Sequence, residues 1–231
     1  MLKLISSMAT RQVLAELAAA WQQVSGVEVT IESVGGVDAA KRVQAGEAFD
    51  GVVLASDAID KLVAGGQVVA GSRIDLVRSS VAVAVKTGTP WPDISTESLL
   101  RSAIEAAPTI GYSTGPSGVA LVKLFERWGI AQALQSRIVQ APPGVPVGAL
   151  VAQGQVALGF QQLSELMHLD GISVVGTLPE AVSITTIFSA ATCAASSQAE
   201  TLGRLFAFMA SHDADAVKRR NGMEAAIQPK N

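Results

Sequence analysis

Short apolar runs alternate with amphipathic segments along the first third of the chain, and few folds accept that order. Residues 2–5 form an apolar run that a turn at Ser6-Ser7 closes. Val13, Leu14, Leu17, Trp21 and Val24 then recur at spacings of three and four, the apolar stripe of a helix, and Gly26 stands where that helix must stop. Val27, Val29 and Ile31 alternate with Glu28, Thr30 and Glu32, the period-two pattern of a strand, which Gly35-Gly36 ends. A short helix runs from Asp38 to Gly46, Gly51–Ala55 reads as a buried strand, Ser56-Asp57 as the cap of a third helix, and Gly65-Gly66 as its end. Three strand–helix pairs in succession predict an α/β unit with a largely parallel sheet.

Ile74–Lys86 is β-rich and far longer than an ordinary strand of about five or six residues, so it is expected to cross from one lobe to another. A second alternation occupies residues 95–179. It comprises a helix over 96–106, a strand over 109–112 and a loop at 113–116, then a helix with Leu121, Leu124, Phe125 and Trp128 on one face, closed by Gly129. Short β structure at Ile138-Val139, a turn at Pro142-Pro143-Gly144, a helix reaching Gly154 and a strand over 156–160 complete it. Residues 183–193, apolar and Thr-rich, lead back to two C-terminal helices. The first carries Leu202, Leu205, Phe206 and Met209; the second ends in Lys218-Arg219-Arg220-Asn221-Gly222, cations and a glycine that read as ordinary capping. The fold class is therefore α/β with mixed sheets and two crossing hinge strands. Residues 1–79 and 190–231 are expected to form one lobe and residues 80–189 the other.

Composition removes several functions. A chain of 231 residues with 49% apolar and 16% charged side chains folds around real cores. Its 17 Lys+Arg against 20 Asp+Glu, without a basic block, leave no footprint for nucleic acid. One cysteine excludes a disulfide framework and a multi-Cys zinc site, and two distant histidines, His168 and His212, leave little for imidazole metal chemistry; no metal and no cofactor is expected. No apolar run approaches the roughly 20 residues of a membrane span, so no membrane insertion is expected. The N-terminus enters a strand directly, without a leader pattern. The expectation is a cytoplasmic protein as the sequence stands, and a periplasmic one if a signal peptide has been removed.

In α/β sheets, ligands bind beyond the carboxyl ends of strands, where helix N-termini present unpaired N–H groups. Three such turns carry small hydroxyl or glycine residues: Ser6-Ser7, Gly35-Gly36, and Ser113-Thr114-Gly115-Pro116-Ser117-Gly118. Each equally suits a plain cap or turn. Arg78, beside Ser79 at the entry of the crossing strand, and Arg11 could supply guanidinium forks to carboxylates, or serve as a salt-bridge partner and a solvated helix residue. Gln161 and Gln162 offer paired amide donors and acceptors suited to a planar carboxylate.

The motifs Ser6-Ser7-Met8-Ala9-Thr10, Glu32-Ser33-Val34-Gly35-Gly36, residues 51–56, residues 148–154, Leu158-Gly159-Phe160-Gln161-Gln162, residues 176–180 and Asn221-Gly222-Met223 together resemble the molybdate-binding proteins, type II periplasmic substrate-binding proteins, over nearly the whole chain. The resemblance implies a two-lobe fold that traps an oxyanion by hinge motion, with an ABC permease as partner if the protein is exported. The family's two oxyanion-binding serines and its tyrosine fall on Met8, Val37 and Gln162. With those donors replaced, a desolvated tetrahedral dianion is poorly served. The chain also looks similar to a smaller group that binds citrate-like acids, one member of which, an aconitate isomerase, shifts a double bond in a tricarboxylate. The expected ligand is thus a small organic anion, a di- or tricarboxylate, held in an interlobe cleft by Ser6, Ser7, Gly35, Gly36, Arg78, Ser79, Ser113, Ser117, Gly118, Gln161 and Gln162. Isomerisation of an aconitate-like acid in that cleft is the alternative, and molybdate or tungstate binding a second one.

Other signals are weaker. Residues 115–119 fail the nucleophile-elbow pattern because Val119 stands where glycine is required. No Walker motif is present, and Gly35-Gly36 lacks dinucleotide spacing. Cys193 reads as a buried, inert thiol. Glu165 and His168 lie one helical turn apart and are the nearest thing to an acid–base pair, though a helix-end histidine would look the same. Asp213 and Asp215 beside His212 read as solvated.

Overall fold

The computed structural model describes residues 1–226; the last five, 227–231, which the sequence assigns to the first lobe, lie outside the described residues. The chain divides into two compact units, one of residues 1–79 with the chain from Thr186 onward, the other Ser80–Thr185.

The first unit opens with β1 (Leu2–Ser7), α1 (Arg11–Ser25), β2 (Val29–Val34), α2 (Gly36–Gln44), β3 (Gly51–Ala55) and α3 (Ser56–Ala64). Strand β1 pairs in parallel with both β2 and β3. Its side chains alternate between two apolar clusters: Leu2 and Leu4 join Val13, Leu14, Leu17 and Trp21 of α1, while Ile5 joins Ala39, Val43, Ile59 and Leu62 of α2 and α3. A sheet covered on both faces demands near-continuous apolar strands, which is why all five residues of β3 are buried. Gly26 takes φ +69° and ends α1, as its position requires. Three local expectations need correction. Ser6 and Ser7 are the last residues of β1 rather than a turn. Val24 is 72% exposed, because the apolar stripe of α1 ends at Trp21. Ser56-Asp57 begin α3 instead of capping it, the capping position being Ala55.

Strand β4 (Ile74–Lys86) runs without a break from the first unit into the second. There follow α4 (Glu97–Ala106), β5 (Ile110–Tyr112), α5 (Pro116–Arg127), α6 (Ala131–Leu134), β6 (Ile138–Gln140), α7 (Val147–Ala152), β7 (Leu158–Gln162), α8 (Leu163–Leu166) and β8 (Ile172–Thr177). Parallel β5 lies between β6 and β7, and β4 runs antiparallel to β7 and β8. Val81, Val83 and Val85 of β4 enter the core with Leu121, Leu124, Phe125 and Phe160, while Ala82 and Ala84 face Leu166.

Strand β9 (Thr185–Thr192) returns the chain to the first unit, pairing antiparallel with β3, and α9 (Ala199–Ala210), α10 (Asp215–Arg220) and β10 (Met223–Ala225) close it. Antiparallel β9 and β10 make the sheets mixed, where strand–helix alternation alone predicts parallel pairing in the first third. Leu202, Leu205, Phe206 and Met209 of α9 are fully buried. Asn221 donates from Nδ2 to Glu16 of α1 at 2.8 Å and Arg220 donates from Nε to the same carboxylate at 2.6 Å, so the chain end is tied to α1. Cys193 is buried, and burial pushes its thiol up to about 12. The folded protein is therefore expected to leave Cys193 unmodified by a thiol-reactive dye at pH 8, with one equivalent reacting once denaturant is added.

Candidate functional site

In the first unit the carboxyl ends of β1 and β2 lie side by side, Ser6 opposite Ser33 and Ser7 opposite Val34. Buried Ser6 shares a 2.8 Å hydrogen bond between hydroxyls with Ser33. The Ser7 hydroxyl accepts weakly from the Ala9 N–H at 3.4 Å. A methyl group added to Gly36 would stand 3.7 Å from the Ser7 Oγ, so the end of β1 and the first turn of α2 are within reach of one small ligand. Asp38, also in that first turn, already supplies a carboxylate to the positive end of α2. The side chains of Met8 and exposed Val37 bring no donor to this place. Arg78 lies elsewhere on the sheet: it faces Glu224 across the β4–β10 pair and is ion-paired with it. Its neighbour Ser79 is 1% exposed, and the Ser79 Oγ has no hydrogen-bond partner among the described residues. A buried hydroxyl in that condition costs about 1–3 kcal/mol, so it is receptive to a polar guest. Arg11 is exposed at the start of α1.

In the second unit the ends of β5 and β7 are adjacent, Tyr112 opposite Phe160. The loop after β5 folds back on α5: the Ser113 and Ser117 hydroxyls approach to 3.4 Å, and the Gly115 N–H points at the Ser113 Oγ at the same distance. Gly118 permits this turn, since a Cβ there would meet the Ser113 carbonyl oxygen at 1.8 Å. The first turn of α5 carries no acidic residue, unlike that of α2. Gln161 and Gln162, both 3% exposed, close β7.

The Gln161 amide is engaged at both ends. Its Oε1 accepts from the Val147 N–H at the start of α7 (2.8 Å), and its Nε2 donates to Glu165 Oε1 on α8 (2.8 Å). Residue spacing hides this link, because Val147 comes fourteen positions earlier. Helix α8 packs on β7, α7 and β8, none of which holds a titratable side chain, and through Leu166 on Ala82 and Ala84 of β4, whose charged residues Asp75, Arg78 and Lys86 do not act on Glu165. Burial without a countercharge raises the Glu165 carboxyl from its ordinary range to about 7, and the Gln161 hydrogen bond offsets only part of that rise. The folded state then binds a proton that the unfolded state has released, so Glu165 opposes folding progressively as pH rises from about 4.5 to about 7. Glu165→Gln is expected to raise stability by up to about 3 kcal/mol at pH 8 and to change little at pH 4, as read from denaturant titrations at both values. His168, the other half of the predicted acid–base pair, is exposed beyond the end of α8.

Asp215 is not solvated: its side chain is 17% exposed and it pairs with Lys218 at 3.1 Å and with exposed His212 at 3.2 Å. Lys218 is fully buried and acts as an internal strut, not as a helix-end cation in water. Among the described residues no cluster of three or more His, Cys, Asp or Glu is arranged to hold a metal, and no helix is long and apolar enough to cross a membrane.

Parallel strands ending in small residues and two α/β units, between which the chain passes once in β4 and back at the start of β9, define a periplasmic-binding-protein-like fold of type II. Residues 2–224 match the family described as bacterial extracellular solute-binding protein, and the chain belongs to that family. It is 36% identical over 229 residues to an aconitate isomerase from Pseudomonas sp., the match covering 96% of this chain and 87% of that protein. The periplasmic molybdate-binding protein of Azotobacter vinelandii superposes over the full length of both chains with a TM-score of 0.80 at 20% identity. The sulfate-binding protein of Mycobacterium tuberculosis H37Rv superposes with a TM-score of 0.78 at 15% identity, covering 99% of this chain and 87% of that one. At such identities the solved structures speak for the fold. The family establishes a solute-binding protein.

Proposed function

We propose that the chain binds a small di- or tricarboxylate at the carboxyl ends of its strands, with the two units closing on the ligand by hinge motion. The observation that carries this reading is the 36% identity, along nearly the whole chain, to a protein named for a tricarboxylate. The side chains support it. Met8 and Val37 offer no hydroxyl to a tetrahedral dianion, while the serines, glycines and Gln162 line up neutral donors beyond the strand ends. Thermal denaturation against citrate, trans-aconitate, phosphate and molybdate tests it. A selective ligand at a hundred times its Kd stabilises the native state by about 2.7 kcal/mol, which for a chain of this size raises Tm by about 5–10 °C. That rise is expected with citrate or trans-aconitate. A rise with molybdate alone overturns the reading.

A second reading, isomerisation of an aconitate-like acid in the same site, is favoured by Glu165, a half-buried carboxyl poised near neutrality beside the end of β7. Proton NMR of trans-aconitate incubated with the protein tests it: new vinyl and methylene signals of the cis isomer are expected, and an unchanged spectrum contradicts it.

A further inference from the structure

Glu165 has three properties that a proton carrier needs. It stands in the first turn after β7, three residues beyond Gln162 at the strand end where the ligand is proposed to bind. Its orientation is set by Gln161, itself held by the Val147 N–H, so the carboxylate is anchored to two elements through hydrogen bonds of 2.8 Å each. No cation on the elements packed against α8, Arg78 and Lys86 of β4 included, acts on it to hold it permanently ionised. Lys218, Cys193 and the Arg42 cluster with Glu32 and Glu47, by contrast, are each spent in packing or in ion pairs.

We infer that Glu165 is the group that carries the proton in an allylic isomerisation of an aconitate-like acid, with Gln161 as its positioning residue. The inference rests on the isomerase reading above. The ionised carboxylate takes a proton from the methylene carbon of the bound acid. The C–H electron pair enters the conjugated C=C–COO⁻ system, the double bond moves by one carbon, and the resulting O–H of Glu165 returns the proton to the former vinyl carbon. Atoms and charge balance, and no redox partner or cofactor takes part. A carboxyl with a pKa of about 7 is well matched to this work at neutral pH, since it is half ionised and still basic.

The test uses the full-length chain and trans-aconitate in D2O, with binding followed by calorimetry and isomerisation and deuterium incorporation followed by NMR. Glu165→Gln is expected to bind trans-aconitate within about fivefold of the wild type and to lose about 10²- to 10⁴-fold in isomerisation and exchange. Gln161→Met removes the hydrogen bond that favours ionised Glu165, so the acidic limb of the kcat/KM profile is expected to move to higher pH, a shift that mere loosening of β7 would not produce. If the wild type isomerises and Glu165→Gln keeps pace, the assignment falls and the isomerase reading stands. If the wild type binds trans-aconitate without isomerising it, both fall, while failure to bind any carboxylate overturns the proposed ligand class itself.

Discussion

Gly118→Ala is expected to lower Tm by about 6–12 °C. The added methyl would lie 1.8 Å from the Ser113 carbonyl oxygen and 3.0 Å from the Tyr112 ring, and the first of these is backbone that cannot rotate away. Relief requires α5 to lift from the end of β5, exposing Leu121 and Phe125, which are buried there. Overpacking of well-filled sites costs about 1–3 kcal/mol and sometimes more; a backbone clash belongs at or above the top of that range, and about 3 kcal/mol converts to the Tm change given. Gly203→Ala is the control. It lies within α9 with open space around its Cα, so there alanine is expected to be neutral or to stabilise by up to about 1 kcal/mol. A calorimetric scan of both variants distinguishes a glycine needed for close approach from one that is not.

Asp215→Ala is expected to cost about 3–5 kcal/mol, or about 6–20 °C in Tm. The Lys218 ammonium is entirely shielded from water and is held by Asp215 at 3.1 Å and by the Ser211 carbonyl at 3.3 Å. Removing the carboxylate leaves a buried charge with a single weak acceptor. Lys218→Met is expected to cost much less, because Asp215 keeps some exposure to water and the neighbouring His212, while the methionine fills the space of the lysine stem. Chemical denaturation of the two single variants and the double variant measures this asymmetry. Equal losses from the two single changes would contradict it.

Much of the architecture was written locally. The alternation of β2, the glycine stop of α1 and the length of β4 each depend on residues next to one another in sequence, so period and punctuation suffice. What escaped depends on partners far away. Lys218 looks like a C-terminal capping cation until α10 is seen to turn it inward onto Asp215. Strand β8 lacks a clean alternation because most of its residues are half-buried against β4, and the pairing that defines it is with residues more than eighty positions earlier. At the candidate site, Ser7, Gly36 and Ser113 were legible as small residues where a strand gives way to a helix. The bridge from Val147 through Gln161 to Glu165 was not. Gln161 and Glu165 are four apart, a helical spacing, yet the first is in a strand and the second in a helix, and only the fold brings Val147 to complete the chain.

The claim that a carboxylate ligand is gripped by the strand-end turns is tested most directly by amide chemical-shift mapping of ¹⁵N-labelled protein during titration with trans-aconitate. The account predicts that the amides of Ser7, Gly36, Ser113, Gly118 and Gln162 shift together and saturate along a single binding curve. Shifts confined to other surfaces, such as the pocket lined by Lys123, Arg127 and Ser183, with those five amides unmoved, would contradict it.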